Sequence, residues 1–207
     1  MADLPAPKPQ EVQQAVARIF KDAVVIDETR NPSFLVGDLN GDQSQDLAVV
    51  LRPAEGKLPE LNQEFPVWIA REPLQEVLLR KSKLVARASK SPDNAAAGQT
   101  VRFARNDVLL AIIHGNGPKG WRDPEATQTH LMRGVVGANM RIMPYKEAAK
   151  VYGGRRPFPT IYGDLIQQTL IGQSGFLHFA GSVYAWYDPK NFEPETGPPH
   201  SAMSKMR

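Results

Sequence analysis

The chain has 207 residues, 42% of them hydrophobic, with a formal charge of +3 and an isoelectric point near 9.2. That length suits one well-buried core, or at most two small lobes, and its 25 basic residues are scattered among 22 acidic ones, which argues against nucleic acid as the main partner. There is no cysteine, so disulfides, thiolate catalysis and Cys-ligated zinc are excluded. No apolar run approaches the roughly 20 residues that span a bilayer, so no transmembrane segment is expected.

Residues 1–9 are Pro-rich and are expected to form a flexible leading segment, followed by one globular domain over 10–188 and a disordered tail over 189–207. In the domain, Val12, Ala15, Val16, Ile19 and Phe20 recur at helical spacing and predict a short helix over 10–20 with one buried stripe. Residues 23–26, 33–36 and 47–51 are short, β-rich apolar runs and predict three buried strands, the last two joined by a polar loop. Residues 53–63 read as a connection, 67–70 as a strand, 73–88 as ambiguous between helix and strand, and 89–98 as a surface loop. Residues 101–104 and 108–113 predict strands about a turn at Asn106-Asp107, the second so apolar that it should be central. A Gly-rich stretch over 115–123 follows, then one or two strands within 129–143 and a short helix over 145–152. The runs 164–170, 175–179 and 182–187 have β composition, with Ala180-Gly181 turning a hairpin. No internal repeat emerges, which argues against a complete β-propeller in this chain.

The polar loop Asp38–Asp46, DLNGDQSQD, carries the most specific chemistry. Calcium takes six to eight oxygens at roughly 2.3–2.6 Å, and a short loop supplies them only if carboxylates and amides recur along a tightly turned backbone. Asp38, Asn40 and Asp42 occupy alternate positions, Ser44 offers a backbone carbonyl and Asp46 closes the set, while Gly41 permits a sharp turn. Three carboxylates in nine residues repel one another without a cation. The competing reading is a polar hairpin loop in which Asp and Asn side chains cap their own backbone. An EF-hand is the weaker reading, because Val49, not Glu, holds the twelfth position.

The stretch GDLNGDQSQDLAVV resembles the calcium loop of FG-GAP repeats, D-x-N-G-D-G-x-x-D-L/V between two strands, with Asp38, Asn40, Gly41, Asp42, Asp46 and Leu47 at the matching positions. Gln43 stands where that family usually has Gly, a position that takes a left-handed backbone at no steric cost, so weaker binding is expected here. The segment QSGFLHFAGSVYAWYDP is similar to the strand-turn-strand ending of single-loop FG-GAP-like secreted bacterial proteins. The resemblance implies a calcium-stabilised binding or structural protein of the bacterial envelope or exterior, with Ca2+ as its cofactor and a protein or small ligand as its partner. The start MADLPAPKPQ lacks the basic and apolar stretches of a signal peptide, but it is also the form a secreted chain takes once its leader is removed, so a periplasmic or secreted location is expected and a cytoplasmic one stays open.

A second constellation is LLAIIHGNGPKGW over residues 109–121, where His114 and a Gly-rich loop follow an apolar strand in the manner of a hydrolase oxyanion loop. No G-x-S-x-G elbow accompanies it, and Lys119-Gly120 rules out a phosphate-binding P-loop. His114, Lys119, Trp121 and Arg122 form a candidate ligand set, the alternative being a wide turn with Trp121 folded back on the core. His130 and His178 lack a spaced second ligand and read as structural. In Tyr184, Trp186 and Tyr187, strand alternation splits the rings between two faces, so core packing is expected over a stacking platform. Arg80-Lys81 and Arg155-Arg156 read as solvated pairs. The expected architecture is therefore α+β, mainly antiparallel β-sheet with an N-terminal helix and one or two further short helices. The alternative to the binding role is a small enzyme with its pocket at 114–122.

Overall fold

A computed structural model describes residues 4–74, 101–152 and 159–189 of the chain. The chain opens on helix α1 (Pro9–Phe20), with Pro9 in its first turn and the Lys8 N–H bonded to Glu11 Oε2 at 3.0 Å. Its stripe of Val12, Ala15, Val16, Ile19 and Phe20 is buried, as the helical spacing requires. Strands β1 (Val24–Ile26), β2 (Phe34–Gly37) and β3 (Asp46–Pro53) follow, then a short helix α2 (Leu58–Leu61), strand β4 (Ile69–Arg71) and strand β5 (Leu109–Ile113). A 3-10 segment over Gly117–Arg122 leads to β6 (Thr129–Arg133), β7 (Ala138–Met143), helix α3 (Tyr145–Tyr152) and the strands β8 (Leu165–Leu170), β9 (Gln173–Phe179) and β10 (Tyr184–Tyr187).

Among the described residues these ten strands make two sheets. The first runs β1-β3-β5-β6-β4, and β2 shares with β1 the edge of β3 that faces away from β5. All its pairings are antiparallel except β4 with β6. The second is the antiparallel meander β7-β8-β9-β10. The fold is therefore α+β and mainly antiparallel, as the sequence predicts.

Strand parity sorts the core into layers. Leu47, Val49 and Leu51 of β3, with Leu109, Ala111 and Ile113 of β5, face α1. Ala48, Val50, Leu110, Ile112 and Met132 point the other way, onto Ile166, Leu177, Phe179 and Tyr184 of the second sheet. The far face of that sheet, with Leu165, Phe176 and Tyr187, packs on Ala148 of α3. Burial on both faces explains the unbroken apolar runs in β3 and β5, and each fully buried Leu, Ile or Val there contributes about 1.5–3 kcal/mol. Tyr184 and Tyr187 fall on opposite faces, and both pack in cores.

Most predicted strands recur within a residue or two. Residues 101–104 are the exception: they have strand-like composition but form no strand. The Asn62 side chain satisfies the Phe103 backbone there, accepting its N–H at 2.8 Å and donating to its carbonyl at 3.0 Å. An amide side chain thus stands in for a neighbouring strand. Most of the ambiguous 73–88 segment, the predicted loop 89–98, both basic pairs and the tail from residue 190 lie outside the described residues. No helix of the described residues is long and apolar enough to cross a membrane.

Candidate functional site

Strands β2 and β3 pair from Phe34↔Val49 to Gly37↔Asp46, which pins the ends of the 38–45 loop. Within it, the carboxyl of Asp38 accepts the Gly41 N–H at 2.9 Å on one oxygen and the Gln43 N–H at 3.1 Å on the other. Asn40 Oδ1 accepts from the Asp42 N–H at 3.0 Å, and Asp42 Oδ1 from the Ser44 N–H at 2.8 Å. These successive caps wind the loop tightly, and two residues turn left-handed: Gly41 at φ +81° and Gln43 at φ +69°. A Cβ at Gly41 would overlap the Tyr162 carbonyl, so no other residue fits there. Gln43 takes the strained conformation anticipated where the resembling family has Gly.

Asp46 plays a different part. It is fully buried, its Oδ2 accepts the Leu39 and Asn40 N–H groups at 2.7 and 3.1 Å, and its Oδ1 accepts the Gly115 N–H at 2.7 Å. One carboxylate thereby ties the candidate cation loop to the Gly-rich turn that follows β5. Further bonds reinforce that joint. The Ser44 hydroxyl donates to the Gly117 carbonyl at 2.8 Å, and the Trp121 N–H donates to the Gln45 carbonyl at 2.8 Å. Gln45 Oε1 accepts the Trp121 indole N–H at 3.0 Å and the Arg122 guanidinium at 3.2 Å. The two stretches singled out separately in the sequence are thus one interlocked unit, with a cleft of about 350 Å³ between them lined by Asp42, Gln43, Ser44 and residues 115–118.

The carboxylates of this unit have no basic partners among the described residues. Asp164 adds a fourth carboxylate, accepting the Asp38 N–H at 3.2 Å and the Tyr145 N–H at 2.9 Å. Among the described residues none of Asp38, Asp42, Asp46 and Asp164 is ion-paired with Lys or Arg. Burial pushes the Asp46 carboxyl up to about 7, opposed by its backbone N–H bonds and reinforced by nearby Asp42. Asp38 is raised as well, chiefly by burial. Among the described residues no three carboxylate or imidazole side chains alone form a metal-holding group. The loop presents the Asn40 amide oxygen among carboxylates that each accept a backbone N–H.

The candidate ligand residues of the Gly-rich turn do not gather at the cleft. Trp121 is buried against α1 with Arg122 stacked 4.3 Å over its ring, and Arg122 is further held by Glu11 at 3.3 Å and the Pro5 carbonyl at 2.9 Å. Lys119 is exposed, and His114 is buried with Nε2 at 2.9 Å from the Tyr184 hydroxyl. None of the four lines the cleft. Gln45 and Asp164 were not anticipated. Gln45 had one signal, a polar residue flanked by two loop positions of the motif, whereas Asp164 read only as the start of a strand. Compared with known proteins, the chain matches no family model, no curated protein and no solved structure.

Proposed function

We propose that the chain is a calcium-braced binding or structural protein of the extracytoplasmic space, with Ca2+ in its β2–β3 loop as the FG-GAP resemblance implies. The observation that supports this reading is that Asp38, Asp42 and Asp46 share one tightly wound loop, with Asp164 bonded to the Asp38 N–H, and that no Lys or Arg is paired to any of them among the described residues. Neighbouring carboxylates repel one another, and a bound divalent ion would supply the positive charge that offsets this. Asp38, Asn40, Asp42 and the Ser44 carbonyl would hold it from the exposed side, and Asp46 from the buried side. The chain's own contribution is rigidity: the Asp46 clamp and the Ser44–Gly117 bond fix the Gly-rich turn against the loop. The adjoining cleft is the place for a partner or small ligand.

An extracytoplasmic compartment is in keeping with a weak site. Gln43 holds a backbone that glycine would adopt without strain, so the loop belongs with the weak sites, whose dissociation constants are roughly 10⁻⁴–10⁻³ M and which fill only where calcium is abundant. An enzyme centred on the 114–122 turn is less well supported, because His114 is occupied by Tyr184 inside the core and neither residue lines the cleft. Calorimetric titration with calcium tests the proposal. Saturable one-site binding by the intact chain, abolished in Asp42→Ala, is the expected result, and no saturable heat with the intact chain would overturn it.

A further inference from the structure

Behind the 38–46 loop, the interface between the sheets holds polar groups that the proposed function does not use. His114 at the end of β5 and His130 on β6 face each other with ring centroids 5.1 Å apart. Phe179 of β9 stands edge-on to both, at 5.3 and 6.0 Å. Tyr184 of β10 lies 5.0 Å from His130 and bonds His114 Nε2. Each sheet therefore supplies half of the cluster. His130 is fully buried, and among the described residues neither of its ring nitrogens has a hydrogen-bond partner. We propose that this cluster is an acid-sensitive latch, closed while His130 is neutral and opened by its protonation, which separates β9 and β10 from β5 and β6.

The physical case rests on what surrounds His130. A neutral imidazole in an apolar layer leaves one N–H unbonded, whereas an imidazolium leaves two donors and a full charge unbonded. Among the described residues, the titratable or charged groups that act on it are His114 from β5, Tyr184 from β10 and Arg71 from β4, and no carboxylate is among them. Burial, then His114 and Arg71, push His130 down to about 4. With the folded value below the ordinary 6.5, the stabilisation of the closed form is complete above pH 6.5 and is lost as pH falls toward 4. The raised Asp46 carboxyl works in the opposite direction, favouring the folded state as pH falls toward 3.8, so global stability mixes the two. The readout must therefore be local.

Amide hydrogen exchange, expressed as protection factors, and NMR titration of the imidazoles supply it. Each pH step of one below 6.5 carries a factor of ten in the opening equilibrium until His130 itself takes up a proton in the closed form. Between pH 7 and pH 4.5, protection in β9 and β10 of the intact chain should therefore fall about tenfold or more, while β3 keeps its protection. His130→Phe, or His130→Leu should the larger ring fail to pack, should keep β9 and β10 protected. Equal loss in the intact chain and the variant would overturn the latch. So would a His130 signal titrating near 6.5 with protection intact, an observation that requires no variant at all.

Discussion

Asp46 and His130 make an instructive pair: both are wholly buried, both lie on strands of the first sheet, and both can ionise, yet their surroundings are opposite. Three backbone N–H groups from two loops converge on Asp46, whereas among the described residues the His130 ring has no hydrogen-bond partner. A charge is tolerated inside a protein only where oriented donors replace water, so the first site is built to hold an anion and the second admits only a neutral ring. Even three donors do not fully offset burial at Asp46, whose carboxyl is pushed up to about 7. That residual imbalance is what a cation in the loop would relieve.

The sharpest way to break the comparison is Asp46→Ala, which leaves the Leu39, Asn40 and Gly115 N–H groups without their acceptor. At about 1–3 kcal/mol for the buried Leu39 orphan and less for the half-buried Asn40 and Gly115, a loss of about 2–4 kcal/mol is expected from urea denaturation. Asp46→Asn, which keeps one carbonyl acceptor, should lose less. A loss under about 1 kcal/mol for the alanine variant would mean that the carboxylate does not organise the loop.

On the histidine side, Tyr184→Phe removes the hydroxyl on His114 Nε2 and should cost about 1–2 kcal/mol in the same assay, below the Asp46→Ala effect. If the order were reversed, the inter-sheet cluster and not the loop would be the principal polar anchor.

The smallest effect sharpens the comparison within the loop itself. Gln43→Gly releases a left-handed backbone at φ +69° and should stabilise the folded state by about 1 kcal/mol while tightening calcium binding. Unchanged or weaker calcium affinity in this variant, measured by calorimetry, would contradict the strain argument.

How far these features could be read from the sequence depends on the range of the interactions behind them. The amphipathic helix, the β2–β3 hairpin and the central β5 follow from local pattern and were legible, while the left-handed turn at Gln43 was signalled only by the Gly that the FG-GAP motif has there. Residues 101–104 were misread because an Asn62 side chain, not a strand, satisfies Phe103. His114 invited a ligand role because it precedes a Gly-rich turn. Its parity with Leu110 and Ile112 puts it on the inter-sheet face instead, but a strand apolar on both sides does not reveal which face meets which layer. The joining of the two loops, through Asp46 to Gly115 and Gln45 to Trp121, spans 69 and 76 residues of sequence and leaves no local signature.

The central claim, that a cation completes the Asp38–Asp46 loop, is tested most directly by thermal unfolding of the intact chain in excess chelator and then in millimolar calcium. At the weak affinity proposed, millimolar calcium is about one to ten times the dissociation constant and stabilises the folded state by roughly 0.4–1.4 kcal/mol, so calcium should raise the melting temperature by about 1–5 °C over chelator, and Asp38→Asn should shrink that rise. Identical melting temperatures in chelator and in calcium would contradict the account, leaving the loop as a hairpin held by its own caps.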